Sequence, residues 1–122
     1  MKNLGRSTRT MLALAGMVLT SATAQAADPA VTDPDFYKVI FENDRVRVME
    51  YQDQPGDKTQ EHGHPAFVVY ALSAFERQIT LPDGKVLNRS FKAGDVMFSE
   101  AQTHVGENVG TTPTHIIMVE LK

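Results

Sequence analysis

The chain has 122 residues, 12 of them basic and 15 acidic, a formal net charge of −3 and no cysteine. That length holds one domain, and without cysteine there are no disulfides, zinc–thiolate sites, iron–sulfur clusters or cysteine nucleophiles. The acidic balance, with no block of like charge, argues against nucleic acid and anionic membrane surfaces as partners.

Residues 1–26 read as a secretory signal peptide. Lys2, Arg6 and Arg9 give a basic start, and residues 11–19 are apolar but too short to span a bilayer as a helix. Ala24-Gln25-Ala26 is a small-residue cleavage site, with Ala22-Thr23-Ala24 as a rival upstream. The expected product is periplasmic or secreted, free of the membrane after cleavage, and starts near Ala27. Three of the 12 basic residues lie before Ala27 and all 15 acidic ones after it, so this product carries a net charge of −6.

Residues 27–36, with Pro29 and Pro34, are expected to be an extended lead-in to a single domain over residues 37–122. Almost every later segment reads as a strand. Residues 36–41 (FYKVIF) are aromatic and β-branched. Residues 45–51 (RVRVMEY) alternate, with Val46 and Val48 on one face and Arg45, Arg47 and Met49 on the other. Residues 67–72 (FVVYAL) suit a strand buried on both faces. Residues 78–81 and 86–91 flank Pro82-Asp83-Gly84-Lys85 as a hairpin. Short strands over 96–99 and 103–108, then residues 115–121 (HIIMVEL), complete the chain. No helix is expected after the signal. The fold class is all-β, an antiparallel sandwich or barrel. Phe67, Val68, Tyr70, Met97, Phe98, Ile117 and Met118 are expected to be mostly core, with Phe67, Tyr70, Met97 and Phe98 lining a pocket.

The chemistry concentrates in His62-Gly63-His64. Residues i and i+2 of a strand face the same way, so both imidazoles can aim at one point. His104 joins them if a second strand folds back beside the first. Three neutral imidazoles from two strands make a half-open metal site for a divalent transition metal: Fe, Zn, Ni, Cu or Mn. Affinity should then fall as the imidazoles protonate below about pH 6.5. His115, at the start of the last strand, reads as a rim residue, and Asn108 as a turn former before Gly110.

Around these histidines the chain resembles the cupin superfamily over roughly residues 37–122. That family's first motif is a glycine, five residues, His-x-His, a glutamate three or four residues on, then a glycine. Gly56, His62 and His64 match it. The glutamate would fall near residues 67–69, which hold no carboxylate, and Ala74 stands for the closing glycine. In the second motif Gly94, His104 and Asn108 match, while Glu100 and Gln102 replace a proline and a glycine and the spacer is one residue short. The resemblance implies an antiparallel, jelly-roll-like cupin barrel with His62, His64 and His104 as metal ligands. As substitutes for the absent glutamate, strand parity disfavours Glu61 and Glu107, places Gln60 close to the loop and leaves Tyr70 in phase with His64 unless Pro65 shifts it. If the protein is an enzyme, the resemblance implies a metal-dependent oxygenase acting on a small organic substrate. The alternative is a non-catalytic module that binds metal or a small ligand. A homodimer is left open.

Overall fold

The computed structural model describes residues 26–122. The signal peptide expected over residues 1–26 lies outside them but for its last residue. Nine strands follow one helical turn: α1 (Pro29–Thr32), β1 (Tyr37–Glu42), β2 (Val46–Asp53), β3 (His62–His64), β4 (Phe67–Ala71), β5 (Phe75–Thr80), β6 (Val86–Phe91), β7 (Val96–Ser99), β8 (Gln102–Asn108) and β9 (Thr114–Leu121).

The strands form two antiparallel sheets, ordered β1-β2-β9-β4-β7 and β3-β8-β5-β6. The core lies between them. Met49 and Tyr51 of β2 stand opposite Met118 and Ile116 of β9, and Val69 of β4 meets Met118 from the other side. With Tyr37, Phe67, Ala71 and Phe75 these residues are buried. The hairpin turns at Gly84 with φ +87°, and Gly94 turns the chain before β7 with φ +90°. Both angles lie where side chains are disfavoured.

Two expectations need correction. The lead-in is not extended throughout, because Asp28 caps α1 by accepting from the Ala30 N–H at 2.9 Å and Pro29 opens the helix. Residues 67–71 are not buried on both faces. Phe67, Val69 and Ala71 point inward, while Tyr70 is 47% exposed. Of the two faces of β2, the inward one carries Met49, Tyr51 and Asp53. Alternation alone cannot tell which of two faces meets the other sheet.

No helix among the described residues is long and apolar enough to cross a membrane.

Candidate metal centre

β3 and β8 pair so that His62 lies directly opposite His104. Both side chains therefore leave the sheet on the same face, and His64 follows by parity. Gly63, between the two histidines, points the other way into a space where a side chain cannot fit. A Cβ there would stand 2.4 Å from the Ala26 Cβ, and the Gly63 N–H donates to the Ala27 carbonyl at 2.8 Å. The glycine lets the lead-in lie flat across the back of the histidine strand.

All three imidazoles are buried. Ring centroids are 4.8 Å apart for His62–His64 and His62–His104, and 5.3 Å for His64–His104. The nearest nitrogens of the three lie within 4.8 Å of one another. Each ring is oriented through Nδ1. His62 donates to the Gln60 carbonyl at 2.8 Å, His64 to the Glu120 carboxylate at 2.7 Å and His104 to the Gln102 side-chain oxygen at 2.7 Å. These bonds fix the tautomers and leave each Nε2 unprotonated.

Such an arrangement fits a metal ion. The His64 Nε2 is buried without a partner, a situation that costs about 1–3 kcal/mol unless something else accepts its lone pair. Burial, then the neighbouring His64, lowers His62 to about 4. Burial, then His64 and His62, lowers His104 to about 3. Both therefore stay neutral, as ligands must, well below the ordinary imidazole value.

Glu120 belongs to a longer relay. Arg47 grips it at 2.6 Å and pairs with Asp28 at 2.7 Å. Burial raises the Glu120 carboxyl, but the hydrogen bonds from His64 and Arg47 outweigh it and hold the group below its ordinary range. The same bonds to Arg47 hold Asp28 low. His64 thus rests on an ionised carboxylate that is itself fixed by the lead-in.

No protein-family model and no curated protein matches the sequence. Solved structures do. A cupin domain from Bordetella pertussis Tohama I is 25% identical, with 70% of this chain and 91% of that one covered and a TM-score of 0.64. A protein with a double-stranded β-helix domain from Klebsiella pneumoniae is 21% identical, covers 82% and 79% of the two chains and gives a TM-score of 0.57. An RmlC-like cupin family protein from Methanocaldococcus jannaschii, only 12% identical, covers 87% and 93% with a TM-score of 0.57. The chain is a small cupin. The two strand orders above are its double-stranded β-helix.

Beside the triad the cupin holds a cavity that opens to solvent. Tyr37, Phe67, Met97, Arg77, Arg89 and His104 are among its walls. Of the residues expected to line a pocket, Phe67 and Met97 do so, and Phe98 borders it while remaining 56% exposed. Tyr70 is corrected. It lies on the outer face of β4, opposite in phase to Phe67 and Val69, and reaches neither the cavity nor the histidines. Gln60 and Glu61 are exposed, and Gln60 serves the site only through its backbone. His115 sits on the outer side of β9, 3.3 Å from Glu50.

Sequence reasoning missed a second buried cluster at the cavity. Arg77 pairs with Asp53 at 2.5 Å, donates to the Tyr51 hydroxyl at 3.0 Å and lies 4.8 Å from the Tyr51 ring centroid. Asp53 also accepts from Tyr51 and from Asn108 Nδ2 at 2.9 Å. Asn108 therefore holds the turn, through the Gly110 N–H, and the buried carboxylate together. Gly106 gives Arg77 its room, since a Cβ there would lie 2.5 Å from the guanidinium. Tyr37, Glu120, Asp53 and Arg77 were all missed. The one available signal was Glu120, whose parity with Ile116 and Met118 puts a carboxylate on the apolar face of β9.

Proposed function

We propose that this cupin is a metal-dependent oxygenase acting on a small organic substrate in the cavity beside His62, His64 and His104. One observation carries the reading. His104 belongs both to the buried triad and to the cavity wall, and no carboxylate is among the residues lining that wall. No pair of carboxylates is therefore at hand for acid–base work where a substrate would sit, and the reading gives the hard chemistry to an ion. A redox-active ion held by the three imidazoles would supply dioxygen activation.

The chain's own residues do the rest. Phe67, Met97 and Met118 exclude water and pack the apolar body of the substrate. Arg77 is already neutralised by Asp53. Arg89 faces it directly across β5 and β6, and among the described residues no carboxylate pairs with it. The cavity therefore favours a substrate whose apolar body ends in an acidic group. We propose too that the protein works outside the cytoplasm, in the periplasm or secreted, on the strength of the basic, apolar and small-residue order of residues 1–26.

The test uses iron-loaded protein and nitric oxide as a mimic of dioxygen. A change in the spectrum of the iron, altered again by small aromatic or aliphatic acids, supports the oxygenase. Iron that binds but stays blind to both puts the non-catalytic binding module first.

A further inference from the structure

We propose that the Tyr37 hydroxyl oxygen is the fourth protein donor at the three-histidine centre, standing where the first motif has lost its glutamate. The proposal rests on the metal-centre reading above.

Tyr37 opens β1 and is buried. Its ring centroid lies 4.5 Å from that of Tyr51, 5.3 Å from that of His62 and 5.9 Å from that of His64. Held between these rings, the phenol has little room to swing. Its hydroxyl sits 3.2 Å from the Nε2 of His62. That nitrogen is bare, because Nδ1 carries the proton given to the Gln60 carbonyl. Without a metal, the Tyr37 O–H donates into the lone pair that an ion would take.

An ion and a proton cannot share that lone pair. An ion on His62 would deprive the O–H of its acceptor and leave the phenol oxygen beside the ion. An ion held there would take the phenol oxygen in place of its proton, against the burial that raises the Tyr37 hydroxyl, and the proton would pass to water in the cavity that Tyr37 also lines. No electron is gained or lost. The spacing agrees with this. Two donors about 2.1 Å from one ion, separated by about 90–110°, stand roughly 3.0–3.4 Å apart, and the observed separation is 3.2 Å.

The carboxylates nearby do not compete. Glu120 lies on the Nδ1 side of His64, and Asp33 is 3.6 Å from the Nδ1 of His62. Both face the backs of the rings. Near the position of the motif's glutamate, the Phe67 ring lies 5.1 Å from that of His64, and it has no donor atom. Tyr37 is the oxygen on the Nε2 side.

Ferric iron alone is a sufficient probe, because phenolate bound to it gives a visible ligand-to-metal charge-transfer absorption. The wild-type chain should bind one iron and become coloured. Tyr37→Phe should bind one iron and lose the colour, and Tyr70→Phe, altered on the outer face, should keep it. Iron bound to the wild type without that absorption overturns the role of Tyr37 and leaves the three histidines standing. So does colour that survives in Tyr37→Phe. A wild-type chain that takes no iron overturns both. The wild-type spectrum is decisive even if Tyr37→Phe does not fold.

Discussion

His64 donates to Glu120 at 2.7 Å across the gap between the two sheets, from the shortest strand of one to the last strand of the other. This bond ties the tautomer of a candidate ligand to the carboxylate that Arg47 holds from its far side. Glu120→Gln should therefore weaken metal binding about 10–100-fold, as loss of a ligand's outer partner generally does. Competition against a chelator of known affinity would measure it. Unchanged affinity would mean that Glu120 serves only Arg47.

Acid should destabilise the metal-free protein earlier than its carboxylates alone would require. His62 and His104 are lowered to about 4 and about 3, chiefly by burial. Between those values and the ordinary 6.5, the unfolded chain binds more protons than the folded one. Stability then rises with pH across the window and is fully present above 6.5. At pH 5 each buried imidazole should cost about 2 kcal/mol or less relative to pH 7. Urea denaturation at both pH values would show it, and His104→Gln should remove about half of the difference. For these two ligands, proton competition with a metal also starts lower than the value of about 6.5 expected from free imidazole.

Asp53→Ala should destabilise the fold by about 3–5 kcal/mol, because it strands the Arg77 guanidinium in the core. Burial raises the Asp53 carboxyl, but Arg77 and the bonds from Tyr51 and Asn108 overcome this and lower it. Equilibrium unfolding measures the loss. A cost within about 0.5 kcal/mol, typical of a surface change, would contradict the network.

N-terminal sequencing of material exported by the native cells should begin near Ala27. Intact Met1 on soluble cytoplasmic protein would defeat the export proposal. The structure adds a reason to look closely at this end, since the Ala27 carbonyl and the Asp28 carboxylate bind Gly63 and Arg47.

The strands, the hairpin at Gly84 and the convergence of His62, His64 and His104 were legible because each rests on local alternation or turn chemistry. What stayed hidden depends on pairs far apart in sequence. Glu120 lies beneath His64 only because β9 runs between β2 and β4. Tyr37 reaches His62 only because β1 and β3, each an edge strand of its sheet, are brought together. Arg77 looks like a solvated charge in Phe75–Thr80 until Gly106 and Asp53 are seen to make a place for it. Tyr70 was misplaced for a different reason. Its phase with His64 does not survive the break between β3 and β4 at Pro65 and Ala66.

The pairing of His62 with His104 also bears on how the molecule folds. Neither β3 nor β8 holds a metal site by itself, and a slip of one residue between them would turn the histidines away from one another. Contacts between segments so distant in sequence close late and slowly. The ion can find its three nitrogens only after that closure, so metal uptake during refolding would report the closure itself. By mass action it would also draw the slowly closing ensemble toward the one register that can hold it.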